Sequence, residues 1–284
     1  MSDEIIYGTV GITLLSKGVH NVIVMADNHD TLPECQNKIN VAEWFSKKMK
    51  TSKILLEEVP RQGNKLIELW KESPHTQQLK DLYLQNPDIM PGMDIRPFVI
   101  PFSFEVLDEI EESNKDYDMD MFKYLKDIDD FFSLENKFVM ANLSNYNVNM
   151  LKDTLLGKHF IMIKESFDEY LQSLYVKQLL NKKVRFLYQN HLDKLEMIND
   201  ILNNIMEWYI CAHINLYLNK SIIIHAGLAH TDKVIRWLSS HYGFDIKHQE
   251  GINEMRQSRV RSRSGCVNMP RKINVMFGGR TLKS

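Results

Sequence analysis

Val22-Ile23-Val24-Met25-Ala26-Asp27-Asn28-His29-Asp30 decides how this chain reads: an apolar run long enough for one buried strand stops abruptly at four polar residues, one of them an imidazole. Short uncharged runs rich in Val and Ile are the signature of buried parallel strands. The pattern recurs twice. Ile54-Leu55-Leu56 runs into Glu57-Glu58, with Arg61 just beyond, and Ile222-Ile223-Ile224 runs into His225-Ala226-Gly227-Leu228-Ala229-His230. Ligands and reacting groups of open α/β sheets gather at the carboxyl ends of the strands. Two imidazole-bearing ends and one carboxylate-bearing end therefore predict a shared site for a divalent metal.

Outward from these runs, residues 37–50 carry Ile39, Ala42, Phe45 and Met49 at helical spacing. Residues 21–26, 37–50 and 53–56 then read as strand, helix, strand, a βαβ unit. Residues 7–15 add a strand before it. Residues 63–70 start a helix that Pro74 ends, and 93–96 form a third short strand stopped by Pro97. After the last run, residues 231–242 read as a helix with Gly243 as its C-cap, and 244–247 as an edge strand. The predicted fold class is α/β: a central, mostly parallel sheet flanked by helices, with a large helical insertion in the middle and a basic C-terminal tail. The boundaries are 1–104 for the first part of the α/β core, 105–218 for the insertion, 219–255 for the last part of the core and 256–284 for the tail.

The middle holds Gly157 as its sole glycine between 103 and 218. Acidic residues crowd 108–130, which predicts a solvated face or an acidic loop. Two apolar stripes, Phe167, Tyr170, Leu171, Leu174 and Tyr175, then Leu195, Ile198, Ile201, Leu202 and Ile205, predict core-facing helices. In the tail, Arg256, Arg259, Arg261, Arg263, Arg271, Lys272, Arg280 and Lys283 occur with no acidic residue among them. That segment is expected to be loosely docked or extended, and to suit an acidic or nucleic-acid partner through salt-sensitive phosphate contacts.

A net charge of −2 excludes a general nucleic-acid binder. Three cysteines, Cys35, Cys211 and Cys266, lie far apart and form no CxxC pair, so neither a disulfide framework nor a structural zinc site is expected, and a reducing compartment fits better. The start MSDEIIYGTV has no basic region followed by an apolar stretch, and no apolar run is long enough to span a membrane. The expected location is cytoplasmic, or a virion if the source is viral; abundant Ile, Lys and Asn point to an AT-rich genome. GxSxG, P-loop, Rossmann and HExxH signatures are absent from the sequence. His75, His159, His191, His213 and His248 stand alone and read as structural or surface residues.

The clusters permit specific chemistry. His29, flanked by Asp27 and Asp30, has carboxylates at hand to orient its ring. Glu57 and Glu58 point to opposite faces, so one reaches the site and the other pairs with Arg61 or Lys53. Gly227 turns the chain from strand to helix, and backbone N–H groups there suit an anionic substrate group. His225 is either a ligand beside His230 or a core histidine within its strand. Arg96, in Gly92-Met93-Asp94-Ile95-Arg96-Pro97, either grips a substrate carboxylate or phosphate at two points or pairs with Glu57 or Asp94. The metal set is thus His29, Glu57, His230 and His225. The catalytic set is His29, Glu57, Glu58, Arg61 and Arg96, with Arg96 and Gly227 on the substrate. Such donors suit Mn, Zn, Co or Fe, which acidify bound water.

With these residues in view, the chain resembles the superfamily of erythromycin esterases, ChaN-like haem-binding lipoproteins, TraB/PrgY and the TIKI metalloproteases. Met25-Ala26-Asp27-Asn28-His29-Asp30, Leu56-Glu57-Glu58-Val59-Pro60-Arg61 and Gly227-Leu228-Ala229-His230 correspond to its three strand-end motifs. The resemblance implies an α/β core with His29, Glu57 and His230 lining the site and Arg61 or Arg96 in support. It also implies hydrolysis of an ester, amide or peptide bond in a small-molecule or peptide substrate, with haem as another cofactor known in the group. The alternative is a catalytically inactive relative that serves as a binding or assembly protein, for instance in a virion.

Overall fold

The computed structural model describes residues 3–28, 33, 35–60, 74–100, 119–133, 154–258 and 264–277. The chain divides into two compact units, Met1–Met93 with Ile210–Ser284, and Asp94–Tyr209. In chain order the described elements are β1 (Glu4–Tyr7), β2 (Gly11–Lys17), β3 (His20–Asp27), β4 (Lys38–Asn40), α1 (Val41–Lys48), β5 (Ser52–Leu56), α2 (Pro74–Gln85), α3 (Arg96–Val99), α4 (Met121–Phe132), α5 (Leu155–Gln172), α6 (Leu174–Leu179), α7 (Val184–Asn190), α8 (Leu192–Leu216), β6 (Ser221–Gly227), α9 (Leu228–Ser240), β7 (Asp245–Gly251), α10 (Met255–Ser258), β8 (Cys266–Met269) and α11 (Arg271–Phe277). Among them, no helix is long and apolar enough to cross a membrane.

The first unit is mixed α/β. Its larger sheet has the order β5-β6-β3-β2-β7, and a smaller one has the order β4-β1-β8. The three strands that end in the polar clusters, β5, β6 and β3, are parallel neighbours. The expectation of a mostly parallel sheet is corrected beyond them: β2 runs antiparallel to both β3 and β7. The cause is local. Lys17 and His20 are register partners, which leaves Gly18 and Val19 as a two-residue loop, and Gly18 takes φ 59° as such a turn requires. A hairpin of that length can join only antiparallel strands.

Residues 7–15 are not one strand either. Gly8, at φ 99°, breaks the run, so that β1 and β2 enter different sheets. The helix expected over 37–50 is shortened by β4, and Asn40 caps α1 by accepting the Ala42 N–H at 2.8 Å. The strand expected over 93–96 does not form, and the bridge between Leu56 and Gly92 precedes that stretch. The chain turns instead into α3, whose first turn accommodates Pro97 because no helical partner awaits its nitrogen. The helix read over 63–70 and the 108–118 part of the acidic stretch lie outside the described residues, while 121–130 belongs to α4.

One face of the larger sheet packs on α1, α2 and α11 through Ile23, Met25, Ile54, Leu56 and Ile223 against Val41, Trp44, Phe45, Leu79, Tyr83 and Phe277. The other face carries Ala26, which packs with Leu228 at the start of α9. Side chains of this size contribute about 1.5–3 kcal/mol each when buried.

The tail expectation is corrected on this core. Residues 266–269 pair with β1, and α11 buries Ile273 and Phe277 while Arg271 and Lys272 stay exposed. Charge counting concealed an amphipathic helix in which the basic residues are simply the wet face. Residues 259–263 and 278–284 lie outside the described set.

The cysteine expectation is corrected as well. Cys35 and Cys266 form a disulfide, with Cα atoms 6.5 Å apart, and Cys211 is buried. Separation along the sequence carried no information about proximity, because β8 returns to the sheet that β4 begins. The cysteine argument for a reducing compartment falls with it.

The described part of the second unit is helical. Phe131, Phe132, Phe160, Phe167 and Trp208 form its aromatic centre, with neighbouring ring centroids 4.9 Å apart for Phe160 and Trp208 and 5.4 Å for Phe132 and Phe167. Leu195, Ile198, Ile201, Leu202 and Ile205 of α8 are buried, as their spacing predicts.

Candidate active site

The end of β5 is held from outside the sheet before it delivers its carboxylates. Leu56 N–H donates to the Pro91 carbonyl at 3.2 Å, and Met93 N–H donates to the Leu56 carbonyl at 2.9 Å. Gly92 lies so close that a Cβ there would stand 2.4 Å from the Glu58 carbonyl oxygen. Strand alternation then sorts the side chains. Leu56 faces the core with Phe45, so Glu57 faces the opposite side, where β6 ends and α9 begins.

There the sequence-distant groups meet. Glu57 N–H donates to the His225 carbonyl at 3.0 Å, which ties the two strand ends together. One carboxylate oxygen of Glu57, Oε2, accepts the Gly227 N–H, and the other, Oε1, lies 3.4 Å from His230 Nε2. Both side chains are close to nine-tenths buried, at 11% and 10% exposure. A charge near a helix start and away from bulk water acts strongly on its neighbours. His230 owes its place to the first turn of α9. Thr231, fully buried, donates its Oγ–H toward the Gly227 and Leu228 carbonyls at 3.3 and 3.2 Å. The helix is anchored further along by Asp232, which accepts the Met255 N–H at 3.0 Å and pairs with Arg236.

His225 takes the other role its strand position allowed. As register partner of Leu56 it faces the α1 side, edge-on to Phe45 with ring centroids 5.7 Å apart. Its Nε2 is 3.0 Å from the Gly8 carbonyl oxygen. A carbonyl only accepts, so Nε2 carries the hydrogen and that atom is committed to donation rather than to a metal. The Gly227 N–H, expected to face a substrate, is likewise committed, here to Glu57.

Asp27, read at first only as a flank of His29, is 2% exposed at the same rim. It is the register partner of Gly227, and its Oδ1 accepts the Asn28 N–H at 2.7 Å. An acidic residue directly after an apolar run was the available signal. Thr231 left no signal beyond its place in a first turn. Lys53 donates to the Asp88 carbonyl and lies 4.6 Å over the Tyr217 ring, and burial lowers its pKa. Glu58 is half-buried beyond the strand end. His29 and Arg61 lie outside the described residues.

Arg96 belongs to the second unit, where its fork closes on Asp94: Nε to Oδ1 at 2.8 Å and Nη2 to Oδ2 at 2.9 Å, with Nη1 donating to Asn203 Oδ1 at 2.8 Å. The pairing with Asp94 is thus the geometry present, and it occupies the two-point grip that a substrate anion would need.

Among the described residues, no group of three or more His, Cys, Asp and Glu side chains is arranged to hold a metal ion. What the first unit does present is a carboxylate–imidazole pair, Glu57 and His230, at the carboxyl ends of parallel strands. Comparison with protein-family models, with characterised proteins and with solved structures returned no match.

Proposed function

We propose that the first unit is a metal-assisted hydrolase acting on an ester, amide or peptide bond, with Glu57 and His230 at its centre and His29 as the third donor. The observation that carries this is the 3.4 Å approach of Glu57 Oε1 to His230 Nε2 at the strand ends. That distance is long for a hydrogen bond, which favours roughly 2.7–3.2 Å. Oxygen and nitrogen ligands of one tetrahedral zinc-like ion lie about 3.3 Å apart, given bonds near 2.0–2.1 Å. The donor types suit Zn, Mn, Co or Fe equally. The same approach leaves no room for a macrocycle between the two atoms, so a bare ion rather than haem is proposed. The motif resemblance to erythromycin esterase-like and TIKI-like proteins supports the reading through the same three residues.

When bound, the ion acidifies water. Glu57, fixed by the Gly227 N–H on Oε2, would hold the ion through Oε1, and the proton of the attacking water would go to solvent. A proton from solvent then passes to the leaving alcohol or amine as the carbonyl–heteroatom bond breaks. His230, held by the first turn of α9, would hold the same ion through Nε2. The arginines beyond residue 256, with Arg271 and Lys272 on the exposed side of α11, are proposed as the docking point for an acidic partner or nucleic acid.

The test is hydrolysis of ester, amide and peptide panels by the full chain, with and without added Zn, Mn or Co. Metal-dependent turnover that disappears in Glu57→Gln, His230→Ala and His29→Ala supports the reading. Unchanged turnover in the first two variants refutes it.

A second reading draws on the Gly227 N–H: Glu57 as an internal anion that caps α9 in a binding or assembly protein without turnover. It predicts loss of stability in Glu57→Gln with no metal bound by the wild type.

A further inference from the structure

We propose that the Cys35–Cys266 disulfide is a redox control on the Glu57–His230 site. The inference rests on the site reading above and adds its regulation. The basis is a series of three hydrogen bonds, joined through Gly8 and His225, from the residue beside Cys266 to the Glu57 main chain. Cys266 opens β8 opposite Tyr7, and the residue before it, Gly265, accepts the Gly8 N–H at 2.9 Å. The Gly8 carbonyl accepts the His225 Nε2–H at 3.0 Å. The His225 carbonyl accepts the Glu57 N–H at 3.0 Å, and Glu57 in turn holds the Gly227 N–H and faces His230. Each link joins main chain to main chain or to a buried ring, so displacement at one end has few ways to dissipate.

The pair is placed to be switched. Both Cys35 and Cys266 are half-buried, within reach of a small thiol, whereas Cys211 is 1% exposed in α8 and shielded from exchange. The bond also closes a very long loop, joining positions 231 residues apart, and it ties the chain just before β4 to the first residue of β8. A dithiol reductant transfers two electrons and two protons: the sulfur–sulfur bond breaks, both cysteines become thiols, and the reductant closes to its own disulfide. Once freed, β8 keeps its four-residue pairing with β1 and its buried Val267 and Met269, but Cys266 at its start loses the covalent tie to the segment before β4. Gly265 then loosens its hold on Gly8, the fixed acceptor of His225 is lost, and the Glu57 backbone follows.

The experiment uses the full wild-type chain. Peptide mapping after mild oxidation is expected to yield a cross-linked peptide containing Cys35 and Cys266. Hydrogen exchange by NMR is then compared before and after dithiothreitol. Reduction is expected to speed exchange of the Gly8, Glu57 and Gly227 amides and the His225 ring N–H by at least about fivefold, the low end of ordinary site-to-site coupling. The Leu14 and Val24 amides, in the β2–β3 pairing, are expected to stay unchanged. Cys35→Ser must match the reduced wild type. The proposal is overturned if the cross-linked peptide never forms, if exchange at Glu57 ignores the redox state, or if the whole sheet speeds up equally, which marks a staple rather than a switch. Exchange is independent of turnover. A chain inactive on every substrate yet redox-responsive at Glu57 would sink the hydrolase reading alone, and an active, redox-blind chain would sink this one alone.

Discussion

Combining Glu57→Gln with His230→Ala in a double-mutant cycle asks whether the two side chains act on each other. Glu57 Oε1 and His230 Nε2 approach to 3.4 Å in a nearly buried setting. Net values for hydrogen bonds to charged groups are about 1.5–3 kcal/mol. The approach is longer than an ideal hydrogen bond, so a coupling of about 1–2 kcal/mol is expected. Gln preserves the acceptor for the Gly227 N–H, so the amide that Glu57 now holds is not stranded. The assay is native-state hydrogen exchange at the Ile223 and Ile224 amides, in the central strand between β5 and β3. The two single changes should together cost more than the double change by that coupling. Additivity within about 0.5 kcal/mol would mean the pair does not interact, and the site argument would lose its basis.

Three further outcomes follow from other parts of the structure. Gly92→Ala places a Cβ 2.4 Å from the Glu58 carbonyl and 2.9 Å from Pro60 N, both main-chain atoms that cannot rotate away. It should cost about 1–3 kcal/mol in urea unfolding and accelerate exchange at the Glu57 amide, whereas a neutral effect would contradict the close approach. Phe277→Ala should cost about 3–5 kcal/mol, because the ring is fully buried against the α1 face of the sheet, and a loss below 1 kcal/mol would return the C-terminal segment to the status of a tail. Burial lowers the Lys48 pKa from its ordinary 10.5, so the folded chain sheds that proton before the unfolded chain does. Stability contributed by Lys48 therefore rises with pH in the window just below 10.5. The difference in unfolding free energy between wild type and Lys48→Met should shift in favour of the wild type from pH 8 to pH 10.

The three strand ends were legible because buried strands write themselves as uninterrupted Ile, Val and Leu, and because a polar cluster after such a run has few other places to go. Glu57 and His230 followed from that alone. The side each residue faces was not legible for His225: whether it lines the site or the core depends on its register with Leu56, a long-range fact. The position of β6 between β5 and β3 was equally hidden, since the chain makes that strand long after its neighbours. The C-terminal segment was misread because its charge is conspicuous and its apolar face, Met269, Ile273 and Phe277, is sparse. The cysteine pair was misread because counting and spacing are one-dimensional. Arg96 was open between two roles, and only the placement of both ends of its fork on Asp94 decides which geometry is present.

Calorimetric titration of zinc and of manganese into the chelator-stripped full chain tests the central claim most directly. One ion should bind per chain in the wild type, and affinity should fall by about tenfold or more in Glu57→Ala and in His230→Ala alike. Equal binding in the wild type and in both variants, or no binding to the wild type, would contradict it.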